Sequence, residues 1–362
     1  MKNNIILNLQ LFADAGTLVN TTTQYVNANT GATTAFDGTN TLAPGLKEFY
    51  DTELLENYRV GLYYAQFAKR QPLPKNHKGT VEWRKWNTFA RAEKLVEGVI
   101  PTGQKFGISS KIGTIDQYGT YTTISDVLEL RAYDDVILGA TEEMGASASE
   151  TQEKLIRDAL LVNSNTLYCD NITLSTGAVS GATPTSTALM EASTTTMALL
   201  TDVMVNKAAT QLNKNNVPTI NGKYYAVIHP SVAFDLRESK GWKDAHVYAG
   251  VDEIYNGEIG ELHNVRFIVN PFAPVLNGEY ANKAGTVTYA TYFFGKDAFG
   301  IIDPEGGALE MIIKDKSEVG GPLNQFSTIG YKFETNGATI LYPERLLRVM
   351  SCSAYSAIDE AN

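Results

Sequence analysis

Gly257-Glu-Ile-Gly-Glu-Leu-His-Asn-Val-Arg-Phe-Ile-Val-Asn-Pro-Phe-Ala-Pro274 sets a tight turn, a buried strand and a proline stop in one register. Gly257 and Gly260 offer backbone freedom for the turn, and Val265, Phe267 and Val269 alternate as one face of a strand does. Pro271 and Pro274 forbid that strand from running on. Nothing in the stretch has the look of catalysis. It reads as the middle of a packed α/β unit.

Working outward, the same unit begins with a helix at Thr201 to Asn213 and a strand at Tyr224 to Ile228. A second helix opened by Pro230 and Ser231 follows, and another strand runs from Thr286 to Phe294. Residues 171 to 196, rich in Thr, Ser, Gly and Ala, mark the crossing into it. Upstream, Tyr133, Ile137, Ala140, Met144, Ala148, Leu155, Ala159 and Val162 recur at helical intervals and predict a long helix. Its small-residue centre, Gly145 to Ser149, suits either a bend or the close approach of another backbone.

Further upstream, Gly79 to Ala90 and Ile112 to Ile124 alternate as strands, with a polar stretch containing Pro101 between them. The pattern predicts a long two-stranded excursion, and an isolated hairpin of this kind is marginal in water without a partner surface. Phe49, Leu54, Leu55, Tyr58, Leu62 and Phe67 predict a helix ending before Pro72 and Pro74. Residues 13 to 45, rich in Thr, Asn, Gly and Ala, read as an arm without regular structure. Leu309 to Ile313, Ile329 to Phe333 and Ala338 to Met350 read as strands returning to the first domain. The fold class is α+β with a discontinuous domain.

The chain has 362 residues, 43% of them hydrophobic and 19% charged, enough for two domains and a sizeable core. No apolar run approaches the ~20 residues of a membrane span. At the N-terminus Asn8 and Gln10 interrupt the apolar stretch, and only Lys2 precedes it, so an intracellular protein is expected rather than an exported one. A net charge of −10 argues against grip on nucleic acid by phosphate neutralisation. Cys169 and Cys352 are too few for a disulfide framework and read as reduced thiols.

The search for chemistry returns nothing that coheres. His77, His229, His246 and His263 are scattered without metal-binding spacing. The run Gly98 to Lys105 imitates a phosphate-binding loop for six residues, then puts Gln104 where lysine belongs. Asp134-Asp135 and Glu142-Glu143 read as solvated helix carboxylates. Trp83, Trp86 and Phe89 among Arg84, Lys85 and Arg91 superficially suit single-stranded nucleic acid, but a strand packed on a neighbour fits an acidic protein better.

Charge distribution carries more. Residues 75 to 111 hold eight Lys/Arg and three Glu, net +5, whereas residues 126 to 158 hold nine acids and three bases, net −6. A basic hairpin and an acidic helix in one chain invite self-association, the hairpin of one copy over the helix of the next. The expected contact residues are Lys85, Arg91, Lys94 and Lys105 on one side and Glu142, Glu143 and Glu150 on the other.

The order of parts resembles the Hong Kong 97-type capsid fold of tailed phages, and within it the coliphage N4-type major capsid family. The resemblance is carried by Leu9-Gln-Leu-Phe-Ala13, Tyr225-Ala-Val-Ile-His-Pro230, Gly257 to Pro274 and Leu341-Tyr-Pro-Glu-Arg-Leu-Leu-Arg348. It implies an N-terminal arm over 1–45, a helix over 46–74 and an E-loop hairpin over 75–125. A P-domain with its spine helix would cover 126–196, an inserted A-domain 197–307, return strands 308–350 and a tail 351–362. It further implies hexamers and pentamers of an icosahedral virion shell, assembled in the bacterial cytoplasm around double-stranded DNA that is not bound sequence-specifically. Portal protein and separate scaffolding or decoration proteins would be partners, with no catalytic residue, no cofactor and no membrane. Some relatives in the wider fold cross-link a lysine to an asparagine. Lys94, Lys105 and Asn336 have the residue types, but no spacing rule supports that chemistry here. The Thr/Asn-rich stretches leave one alternative, a bacterial surface or adhesin-like structural protein.

Overall fold

The computed structural model describes residues 24–26, 33–35, 63–74, 79–87, 89–92, 94–95, 97–98, 100, 103–131, 136–163, 165–247, 260–305, 309–319, 323–335, 338–356 and 359–362. The chain divides into two units, Met1–Glu56 and Asn57–Asn362. In the first, β1 (Gln24–Val26) and β2 (Thr33–Ala35) pair antiparallel. The arm was expected to lack regular structure, and this short ribbon corrects that: Val26, Thr33 and Thr34 are β-branched residues that favour extended backbone.

The second unit opens with β3 (Lys69–Leu73), the hairpin strands β4 (Thr80–Trp86) and β5 (Ile108–Thr114), and β6 (Asp116–Ser125). Helices α1 (Asp126–Arg131) and α2 (Val136–Leu161) follow, then β7 (Thr166–Tyr168), β8 (Asn171–Thr173), β9 (Thr196–Ala198) and α3 (Asp202–Lys214). Next come β10 (Tyr224–Ile228), α4 (Pro230–Glu238), α5 (Lys240–Val247), β11 (Glu261–Leu262), β12 (Val265–Val269), β13 (Val275–Leu276) and β14 (Thr288–Phe294). The chain finishes through β15 (Phe299–Pro304), β16 (Glu310–Lys314), α6 (Lys316–Val319), β17 (Phe326–Thr335), β18 (Thr339–Ile340) and β19 (Leu346–Ser351).

A mixed seven-stranded sheet ordered β11-β12-β10-β14-β19-β7, with β13 on β14, is the centre of the molecule. Every residue of β14 and β19 is buried, as strands covered on both faces must be. Alternate residues serve two cores. Ala226, Ile228, Phe293, Leu347 and Val349 pack with Val205, Ala208 and Leu212 of α3 and Leu236 of α4. Val227, Tyr292, Phe294 and Leu346 face the opposite way, onto Ile156 and Leu160 of α2 and onto Tyr64. Burying each such aliphatic side chain contributes roughly 1.5–3 kcal/mol.

This arrangement corrects the reading of β19. Ala338 to Met350 was expected to return wholly to the first domain, yet Leu346–Ser351 lies between β14 and β7 in the central sheet. An all-apolar strand needs cover on both faces, and the centre of this sheet supplies it. The other returning strands, β16 and β17, do lie with β6 in a separate sheet, and β17 presents Tyr331 and Phe333 to Ala148 of α2. Ser147 Oγ and Tyr331 OH are 3.2 Å apart. The small centre of α2 thus admits an aromatic sheet face.

Two further expectations change. The helix predicted up to Pro72 falls partly on residues 46–62, outside the described residues. From Tyr64 the chain makes one 3₁₀ turn, Ala65–Phe67, and then β3, which pairs parallel with β15. Pro72 is tolerated because β3 is the edge of the β18-β15-β3 sheet. The second alternating run also divides: β5 belongs to the hairpin, while β6 pairs along its length with β17.

The opening stretch behaves as a strand and stop, with a different turn. Gly257 lies outside the described residues, and the turn from β11 to β12 is made by His263 (φ 50) and Asn264 (φ 66). Positive φ at both central residues is the two-residue hairpin turn whose twist matches its strands. Beyond Val269, Asn270 donates its backbone N–H to Ile228 O, and the prolines turn the chain into β13.

Candidate inter-subunit surface

The hairpin β4–β5 pairs Thr80 with Thr114 through to Trp86 with Ile108. Past the last paired residues, Asn87 N–H donates to Gly107 O at 3.0 Å, and the Gln104 side chain both accepts from Ala90 N and donates to Ala90 O. The two arms therefore stay together beyond the ladder. Phe106 stacks on Trp86 at 4.1 Å and on Phe89 at 5.3 Å. All three rings are 58% exposed, and Ile100 is 94% exposed. An apolar face of this kind, rimmed by charge, is what a subunit presents to a partner.

Three of the expected cations, Arg91, Lys94 and Lys105, sit on this exposed segment and make no ion pair with a described residue. Lys85 does not join them. Its Nζ donates to Glu344 Oε1 at 2.8 Å and lies 4.6 Å from the centre of the Tyr342 ring, so its charge is spent inside the subunit. Partial burial pushes the Glu344 carboxyl up, but the hydrogen bond from Lys85, a backbone N–H and the nearby charges hold it below its usual range. The partner lies 259 residues away, within a motif quoted above only for its resemblance.

On α2, Glu142 is exposed, whereas Glu143 and Glu150 are half-buried and Glu150 pairs with Lys154 at 2.8 Å. Glu153, counted among the helix's surface acids, is 1% exposed. Its carboxylate accepts from Tyr63 N and Tyr64 N at 3.2 Å and from Asn270 Nδ2 at 2.7 Å. Burial pushes its pKa up to about 7 although these donors favour the charged form. Arg157, one turn on, is also buried and donates to Phe272 O and to Asn362 Oδ1. The acidic face of α2 is therefore smaller than the sequence count.

One grouping that sequence reading missed has the composition of a hydrolase triad without its geometry. Ser231 Oγ donates to Asp359 Oδ2 at 2.6 Å, and Tyr289 OH donates to the same oxygen at 2.7 Å. His229 Nδ1 accepts the Ser231 backbone N–H, capping α4. Burial holds the His229 pKa below its usual value, and the Ser231 hydroxyl donates to the Asp359 carboxylate rather than to the imidazole. The cluster fastens residue 359 to the core. Ala354 N–H, donated to Asp235, fastens the same tail again. Cys169 and Cys352 are free and buried, and burial pushes the Cys352 thiol up to about 12. Among the described residues no group of His, Cys, Asp and Glu is arranged to hold a metal ion, and no helix is long and apolar enough to cross a membrane.

The family described as phage capsid protein matches residues 109–337, more than half of the chain. The chain belongs to that family. It is a structural family, and its match spans α2, the central sheet up to β14 and the β16–β17 pair. Solved capsids share the fold. The capsid structure of cyanophage P-SCSP1u aligns with a TM-score of 0.62 at 16% identity, covering 85% of this chain and 93% of that one. The capsid of cyanophage Pam1 aligns at 0.66 and 11% identity, covering 89% and 100%. The acid-stable capsid of Helicobacter pylori bacteriophage KHP30 aligns at 0.63 and 11% identity, covering 86% and 96%. No curated protein sequence matches. These likenesses give the fold: this member of the phage capsid protein family has a mixed α+β architecture shared with those solved capsids.

Proposed function

We propose that copies of this chain associate as hexamers and pentamers of an icosahedral head, with the hairpin of one copy lying on a neighbour. The observation that carries this reading is the exposed stack of Trp86, Phe89 and Phe106 on a hairpin whose Arg91, Lys94 and Lys105 make no ion pair with a described residue, inside a family of phage capsid proteins. The domain assignment follows. The hairpin is the E-loop, α2 the spine helix of the P-domain, and the unit around β10, β12 and β14 the inserted A-domain. The motifs named above support an assignment to the coliphage N4-type group. Portal protein, separate scaffolding or decoration proteins and packaged double-stranded DNA are the partners of such a subunit, and assembly takes place in the host cytoplasm.

The cations that reach a neighbour are Arg91, Lys94 and Lys105, and Glu142 is the most accessible of the acids offered in return. Charge reversal at Arg91, Lys94 and Lys105 together leaves a folded subunit that no longer forms shells under the electron microscope. Normal shells from that triple variant rule out an electrostatic hairpin contact. Absence of shells from the unmodified protein under conditions that keep it folded rules out the assembly reading itself.

A further inference from the structure

We propose that a hollow at the root of the hairpin binds a carboxylate carried by a second copy of this chain. The inference rests on the assembly reading and adds residues that reading does not use. The hollow measures about 160 Å³, room for one oxyanion and not for a nucleotide. Lys69, Trp83, Arg84, Lys85, Ser110 and Lys111 are among the residues that line it.

Gly300 lies under Trp83, and a Cβ there would come within 3.2 Å of Trp83 Cζ2. The register sets Trp83 opposite Lys111 and Arg84 opposite Ser110, so donors face each other across the strands. Trp83 Nε1 is buried and has no acceptor among the described residues. An indole nitrogen is a donor only, so nothing but an acceptor satisfies it. Lys85 is neutralised by Glu344, and Arg84 leans on Glu82 at 3.4 Å. Lys69 and Lys111 are exposed and make no ion pair with a described residue. Two ammonium groups with no ion pair among the described residues, on a lining shared with the unpartnered Trp83 indole, select an oxyanion.

The source is argued from charge. Binding a run of nucleic-acid phosphates needs an extended basic surface, and this chain carries 40 Asp and Glu against 30 Lys and Arg. Each additional copy brings carboxylates in surplus. The hollow takes one.

The test uses the full chain with ¹⁵N-labelled tryptophan, whose three indole N–H signals are assigned with Trp83→Phe. Free glutamate, inorganic phosphate and a short DNA duplex are added separately. Glutamate is expected to move the Trp83 signal saturably and leave the other two in place, and Lys69→Met with Lys111→Met abolishes the shift. Trp83→Phe keeps a ring on Gly300 but deletes the donor. It is expected to raise the subunit concentration needed for shell formation about tenfold, the size of one charge-assisted hydrogen bond. Thermal unfolding like that of the unmodified protein verifies that both variants fold. A Trp83 signal that ignores glutamate, or answers only phosphate or DNA, overturns the proposal. So do variants that assemble at the normal concentration, a result that leaves the assembly reading standing because the unmodified protein forms shells in the same assay.

Discussion

Replacing Glu153 by alanine puts the strongest physical claim about α2 to the test, because its cost should depend on pH in an unusual direction. Glu153 is 1% exposed and receives N–H groups from Tyr63, Tyr64 and Asn270. Truncation strands Tyr64 N–H and the Asn270 amide away from water, at about 1–3 kcal/mol each. Against this stands the cost of burying the charge. Burial lifts the folded pKa to about 7 from an ordinary 4.5, so the folded state holds a proton that the unfolded chain releases between those values. The stabilising effect of that proton is complete below pH ~4.5 and is lost as pH rises through ~7, a swing of about 3 kcal/mol at 1.36 kcal/mol per unit. Glu153→Ala removes both terms. It should therefore destabilise the unassembled subunit strongly at pH 5 and by up to about 3 kcal/mol less at pH 8. Urea unfolding at the two pH values measures the difference. An equal or larger loss at pH 8 refutes the reasoning, since it means that the three donors hold the carboxylate charged and outweigh desolvation.

Gly330→Ala should destabilise by about 1–3 kcal/mol in thermal unfolding, because the added Cβ meets Thr120 O and Tyr121 Cβ at 2.8 Å across the β6–β17 ladder. Leu160→Ala, at a fully buried site between α2 and the central sheet, should cost about 2–5 kcal/mol in urea unfolding. Asp359→Ala removes the shared acceptor of Ser231 and Tyr289, and faster amide exchange over residues 353–362 with little change at β14 is the expected result.

The sequence is most readable where period and stop signals coincide. Tyr224 to Ile228, the helix opened by Pro230, and the alternation at Val265 to Val269 all appear in the structure as read, because each carries its own boundary. The long helix was legible from its spacing and is present over Val136–Leu161, while Tyr133 of the expected run lies outside the described residues. What escapes sequence reading is tertiary. Leu346 to Ser351 looks the same in any sheet that covers both faces, so its composition could not say which sheet. The helical spacing from Phe49 falls mostly outside the described residues, and at its end Lys69–Leu73 form β3 beside β15, where long-range pairing overrides local period. In the contact surface, Arg91, Lys94 and Lys105 were legible as exposed cations, but Lys85 was not separable from them. Only the fold brings Glu344 beside it.

The same limit explains why counting charge along α2 overstates its acidic face, and what the buried charges accomplish instead. A 26-residue helix with acids on many turns looks like a solvated rod until its neighbours are known. Glu153 and Arg157 lie one turn apart on the buried side. Glu153 gathers the chain at Tyr63–Tyr64 and Asn270, while Arg157 gathers Phe272 and Asn362. Three distant stretches of sequence, 63–64, 270–272 and 362, therefore meet on two neighbouring polar side chains. Apolar replacements of similar volume could fill that space, yet they would not distinguish one backbone amide from another, whereas a buried carboxylate and guanidinium accept only matched donors and acceptors. These two residues tie α2 to the segments at 63–64, 270–272 and 362, and they leave the exposed turns of the helix free of that task.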